Sequence, residues 1–171
     1  LTQAEAQDDD FDIAILHQRA GAWLEREGFM SEAIQQAFSA DDIETATRII
    51  EQVALPVLMR NGAMTVLNWI NALPEKVVRS RPWLCLWHAA ALTLNNETET
   101  AEARLCLVEQ SPMGAQFRGE IASLRTAIAV NCGDSPKMIA QAQQALTHLP
   151  ETNLVMRGLA ALGQGFGYMD I

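Results

Sequence analysis

Basic residues are scarce: 12 Lys and Arg stand against 21 Asp and Glu, for a net charge of −9, and nowhere do the cations form a run. That deficit argues against a nucleic-acid interface in this segment, because phosphate contacts need clustered Lys and Arg. Cysteine is also sparse. Three residues, an odd number without paired spacing, make no disulfide framework, and a reducing, cytoplasmic setting is the simplest reading. Strand signals are nearly missing, with one Tyr and few β-branched alternations. Asn61-Gly62 is the one hairpin-like pair, and both its flanks read as helix. No apolar run approaches the ~18 residues of a membrane span. Leu1 to Asp10 is polar and acidic, unlike a secretory signal. There is no initiator Met, and the chain stops at Gly167–Ile171 where another element is expected to begin. The reading is therefore a piece of a longer protein. What is present suffices for a core: 49% of the 171 residues are hydrophobic and 19% charged.

Apolar residues recur at helical spacing. Ile13, Leu16, Ala20, Trp23 and Leu24 share one stripe. Met30 to Phe38 comes next, with Ser31 as the expected N-cap. Asp41 or Asp42 caps a long helix carrying Ile43, Ala46, Ile50 and Val53; Pro56 lies late in it and predicts a kink or break near Leu55. Met64, Leu67, Ile70 and Leu73 form a shorter stripe ending at Pro74. Pro82 suits a first turn, ahead of Trp83, Leu84, Trp87, Ala90, Ala91 and Leu94. Further stripes run through Ala101–Val108, Phe117–Ile128 and, behind an expected Ser135 cap, Ile139–Leu149. A last helix runs from about Asn153 toward Phe166.

Gly28, Gly62, Asn96, Gly133 and Gly167 are spaced 34, 34, 37 and 34 residues apart, and the first four fall between helical stripes. A 34-residue period with two helices per unit is the arithmetic of tetratricopeptide-like repeats, which bury their apolar faces by stacking. The expected fold is all-α, an α–α superhelix or solenoid of such repeats.

No residue pattern amounts to a catalytic centre. Gly163-Gln-Gly165-Phe-Gly167 comes after a helical pattern rather than a strand, so close helix packing explains it better than a phosphate loop. Cys85 and His88 share a helix face, yet a structural zinc needs four ligands. His17 reads as a structural histidine bonded to a neighbouring helix, and His148 as a residue suited to a helix C-terminus. Asp8-Asp9-Asp10 lacks the Gly and distal Glu of a calcium loop. Of Trp23, Trp69, Trp83 and Trp87, Trp69 lies off its helix's main stripe. It is the one candidate for an exposed ligand or partner surface, including sugar stacking. Catalytic, cofactor and metal residues are read as none.

The stretch Leu16-His-Gln-Arg-Ala-Gly-Ala-Trp-Leu-Glu-Arg-Glu-Gly28 with Glu32-Ala-Ile resembles the segment after the nucleotide-binding region of MalT-like transcriptional activators, the large ATP-dependent regulators of the LuxR type. So do Trp69-Ile-Asn-Ala-Leu-Pro-Glu75, Arg81-Pro-Trp-Leu84, Arg118-Gly-Glu-Ile-Ala-Ser-Leu124 and Arg157-Gly-Leu-Ala-Ala-Leu162. Composition gives an acidic leader at 1–10, and the resemblance implies a helical connector at 11–74 and tetratricopeptide-like repeats at 75–171, truncated at their end. It implies ATP as a cofactor of the parent protein and none here, since no G-x-x-x-x-G-K-[ST] occurs. Expected partners are neighbouring domains, a small-molecule inducer and a second copy bound through an exposed C-terminal edge at Leu159, Leu162 and Phe166. The functional expectation is a regulatory coupling module in the cytoplasm; a constitutive peptide-binding scaffold is the alternative, and a small helical enzyme comes last.

Overall fold

A computed structural model describes residues 3–169, with side chains from residue 13 onward. The acidic leader expected at 1–10 lies outside the described side chains. Among the described residues the protein is all-α, with ten α-helices and no strand. They are α1 (Gln3–Arg26), α2 (Met30–Ser39), α3 (Ile43–Leu58), α4 (Ala63–Asn71), α5 (Glu75–Ser80), α6 (Pro82–Leu94), α7 (Thr98–Glu109), α8 (Arg118–Cys132), α9 (Ser135–His148) and α10 (Leu154–Met169). A 3-10 turn, Gly114–Phe117, precedes α8. The chain divides into two compact units between Val57 and Leu58. The sequence places its boundary later, at Pro74; α4 packs on α6, so residues 58–74 group with the later helices.

The recurring turns have a common chemistry. Gly28, Asp41, Asn96 and Gly133 all take left-handed backbone, with φ of 87, 54, 64 and 66°. At each, the next residue's N–H reaches five residues back: Phe29 to Leu24 O at 2.8 Å, Asp42 to Ala37 O at 2.9 Å, Glu97 to Leu92 O at 2.9 Å and Asp134 to Ala129 O at 3.0 Å. This is the bond pattern of a Schellman helix end, which satisfies carbonyls that the last turn leaves free. Gly62 lies between α3 and α4 as expected, although Asn61 (φ 63°) rather than Gly62 (φ −88°) takes the left-handed position there. One expected turn residue is corrected. Gly167 lies inside α10, where a methyl group would meet Ile139 Cγ1 at 2.8 Å; it is a packing glycine.

Caps arise from the same ends. Asp42 Oδ1 accepts from Thr45 N at 3.0 Å, as an N-cap should. Ser31 and Ser135 are not caps. Phe29 holds the cap position of α2 without a side-chain bond, and Asp134 caps α9 by accepting from Lys137 N. In both cases the cap residue directly follows the left-handed turn, one or two residues before the expected serine. Pro56 does not break α3, which continues to Leu58. Only two residues of the helix lie beyond it, so the lost hydrogen bond falls in the last turn, and buried Ala54 and Leu58 hold that turn in place.

In the first unit, α1 packs on α2, and Ala33, Ile34, Ala37, Ala46, Ile49 and Ile50 are buried. The expected core stripe of α1 faces outward: Ile13, Leu16 and Trp23 are at least half exposed. Trp23 instead stacks on Phe29, centroids 6.4 Å apart. In the second unit α6 is buried without interruption from Leu84 to Thr93, because α4, α5, α7 and α8 all pack around it. A helix apolar on every side belongs in such a place. Its two ends protrude, and Trp83 and Leu94, expected in the core, are 40% and 62% exposed. Trp83 stacks on Trp87 and meets Phe117 edge-on.

The later helices pack as a layer, with α8 touching α6, α7, α9 and α10. Ser123 Oγ donates to Met156 O at 2.8 Å, Asn131 Nδ2 donates to Thr93 O at 2.7 Å, and Arg157 Nη1 caps α9 through Leu146 O and Leu149 O, both at 3.0 Å. The glycines of α10 are of two kinds. A methyl on Gly163 would run into Thr126 Cγ2, whereas one on Gly158 meets nothing within 4 Å. The same substitution therefore has opposite signs on one helix. Gly163→Ala should cost about 1–3 kcal/mol through overpacking, and Gly158→Ala should add about 0.5–1 kcal/mol of helix propensity. Denaturant midpoints of the two variants check this, and a shared direction of change would contradict the packing described.

Candidate functional site

A recess lies over α8, walled by α7 and α9. Two depressions, of about 350 and 270 Å³, share Arg125 and Gln141 as common lining. Toward the end of α8 the first is floored by Ile128, Ala129 and Cys132. Toward its start the second is lined by Arg118, Gln144 and His148.

Arg125 is the central residue. One face of α7 presents Glu102, Cys106 and Glu109, at i, i+4 and i+7, and all three meet the guanidinium. Nη1 and Nη2 clasp Glu109 at 3.0 and 2.8 Å, Nε donates to Glu102 Oε1 at 2.9 Å, and Nη2 lies 3.8 Å from Cys106 Sγ. The planar fork suits this bidentate arrangement, which a lysine would not reproduce. Hydrogen bonding to Glu109 holds the Arg125 proton more firmly than usual, and the same bond lowers the Glu109 pKa. Burial, reinforced by Glu102, pushes the Cys106 thiol up, so it stays protonated. The cluster fixes α7 against α8 and so sets the width of the groove. Reading helix faces one at a time missed it, because acids on a polar face look like solubility. The available signal was the Glu102, Cys106, Glu109 spacing along one helix face.

Within the groove Gln141 contributes a buried Oε1 that has no hydrogen-bond partner. Such an acceptor costs roughly 1–3 kcal/mol unless a donor reaches it. At one end Lys137 and Asp134 neutralise each other at 2.7 Å. At the other, Arg118 is exposed and has no ion pair among the described residues. His148 ends α9, its Nδ1 2.8 Å from Gln144 O, in the position expected for it.

The remaining residues singled out in the sequence lie apart from this groove. Trp69 is corrected: it is 8% exposed, since short α4 buries Val66, Leu67, Trp69 and Ile70 over more than one stripe. No accessible ring face is left there for a ligand. Cys85 and His88 are both buried on α6. Cys85 Sγ donates to Val78 O at 3.2 Å, and burial raises its pKa, which makes it a core thiol. Among the described residues no three His, Cys, Asp or Glu side chains form a metal-binding group. His17 lies 2.6 Å from Gln36 Oε1 and ties α1 to α2 as expected. A second interhelix tie, also missed in the sequence, joins Glu25 to Arg48 in the first unit at 2.6 and 2.7 Å. A third joins Glu75 to Arg104 and Arg79, whose hydrogen bonds hold the Glu75 carboxyl down to about 2.

No protein-family model matches the chain, and no solved structure matches it. Among curated proteins it is 27% identical over 150 residues to the HTH-type transcriptional regulator MalT of Yersinia pestis (strain Pestoides F), and equally to that of Yersinia pseudotuberculosis. These matches cover 84% of this chain and 16% of the regulator. It is also 32% identical over 128 residues to the serine/threonine-protein kinase PknK of Mycobacterium tuberculosis, 69% of this chain and 11% of the kinase. Among the described residues no helix is long and apolar enough to cross a membrane. The chain thus spans about a sixth of the curated regulators it matches, and along most of its length its relationship is a MalT-like one.

Proposed function

We propose that this chain is a non-catalytic regulatory module of a MalT-like, LuxR-type transcriptional regulator, coupling an ATPase switch to an effector-sensing helical region. One observation carries the reading. The same segment is shared with a protein named as a helix-turn-helix regulator and with one named as a kinase, and it makes up only 16% and 11% of them. A part common to two different activities supplies neither; it supplies what both need, a surface through which other domains or ligands act. The all-α packing fits that role, since stacked helices shift between discrete arrangements and transmit a bias from one site to another. ATP binds elsewhere in the parent, and DNA is contacted by another domain, because the −9 charge repels phosphate. A cytoplasmic setting accompanies this function.

The complete reading frame tests the proposal. A P-loop motif upstream and a helix-turn-helix downstream are the expected result, with ATP turnover and DNA binding in the full protein and neither in this chain. A frame containing neither motif would leave the constitutive scaffold as the better reading.

A further inference from the structure

The groove over α8 has three features that together specify an occupant. Its length, from Arg118 to Cys132 along α8, is roughly 20 Å at 1.5 Å per residue, the span of about six residues of extended chain. Its two ends differ. One offers the exposed Arg118 cation beside His148, where Glu109 is already committed to Arg125; the other offers the apolar floor of Ile128, Ala129 and Cys132. Between them the buried Gln141 Oε1 lacks a donor. The two cavities share Gln141 and Arg125 in their lining, and so adjoin along α8.

We infer that this groove binds an extended peptide segment of a partner protein, about six residues long. An acidic side chain faces Arg118, a main-chain N–H reaches Gln141 Oε1, and an apolar side chain fills the depression over Ile128 and Cys132. The occupant is peptide rather than nucleic acid because the cations other than Arg118 are paired: Arg125 with Glu102 and Glu109, Lys137 with Asp134. One free cation suits one carboxylate. A main-chain N–H is the donor that every peptide carries, whatever its sequence, and an extended strand presents it at regular spacing. Clamped by α7, Arg125 is a positioning residue that keeps the groove open. The inference deepens the interaction-module reading and rests on it.

Two capped hexapeptides serve as probes, one beginning with Glu and ending with Leu, the other in the reverse order, with four Ala between. Titrated into the ¹⁵N-labelled chain, one order should shift the amide signals of Ile128, Cys132 and Gln141 saturably. Arg118→Glu should weaken that probe at least tenfold and should bind the version with Lys in place of Glu. Gln141→Leu should weaken both versions, with the unfolding midpoint unchanged or raised, since a buried acceptor without a donor has been removed. Absence of saturable shifts at millimolar concentration with either order would overturn the inference. So would indifference to Arg118→Glu, or the same Arg118-dependent shifts with octanoate, which would make the ligand an amphiphilic carboxylate. None of these failures touches the regulator reading, which the complete reading frame decides separately.

Discussion

Stability of the second unit should fall by about 3 kcal/mol as pH is lowered from 6.5 to 4, and His88 should account for the fall. The ring is 4% exposed, and its Nδ1 has no hydrogen-bond partner. Burial, with the Arg104 cation adding to it against the opposing Glu75 and Glu97 carboxylates, lowers its pKa from 6.5 to about 4. The folded state therefore holds the neutral ring where the unfolded chain takes up a proton. For a depressed pKa the stabilisation is complete above 6.5 and is lost as pH drops through the folded value. Glu75, held down to about 2 by Arg104 and Arg79, adds a loss of the same sign only below 4.5, so the windows barely overlap. Unfolding followed by fluorescence of Trp69, Trp83 and Trp87 at pH 7, 6, 5 and 4 measures the slope. His88→Leu should flatten it and leave stability at pH 7 equal or higher, since an unpaired buried polar atom has been removed. An unchanged slope in that variant would place the titrating group elsewhere.

The protein should self-associate through α10, and two charges on its outer face should abolish this. Leu154, Leu162, Phe166 and Met169 are 76%, 65%, 51% and 81% exposed on that helix. Gly158 and Gly165 lie between them with nothing within 4 Å of an added methyl, which permits close approach of another helix. The occupant is a second copy because this face lacks the charge that keeps copies apart. In a chain of net charge −9, α10 carries one charged side chain, Arg157, and that is spent on the carbonyls of α9. A contiguous apolar patch of this kind is where soluble proteins associate. Sedimentation at tens of micromolar should show dimer for the native chain and monomer for Leu162→Glu/Phe166→Glu, with the melting temperature altered little. Ala160→Glu, at a fully buried position of the same helix, should unfold the layer instead. A native chain that stays monomeric at several hundred micromolar would contradict the expectation.

Much of the local chemistry was legible in the sequence, although the caps expected at Ser31 and Ser135 fall at Phe29 and Asp134; neighbour choice was not legible. Left-handed turns at Gly28, Asn96 and Gly133, the Asp42 cap and the first-turn Pro82 depend on residues within one or two helical turns, so composition and spacing suffice. Apolar periodicity also located the helices. It did not say which face would find a partner: α1 turns Ile13, Leu16 and Trp23 outward, while α4 buries Trp69 off its main stripe. Such outcomes depend on how many helices surround an element, a property of tertiary packing. The groove was hidden for the same reason. Arg125 meets residues 16 and 23 positions away in sequence, and Gln141 looks like any polar helix residue until its oxygen is found buried without a donor.

The coupling role is tested most directly by hydrogen exchange on the complete protein, with and without ATP. A regulatory module should change protection within this segment when nucleotide binds upstream, most clearly in α7 and α8, whose shared Arg125 cluster makes them respond together. Exchange that changes in the nucleotide-binding region and stays identical throughout residues 13–169 would show a passive scaffold and contradict the account.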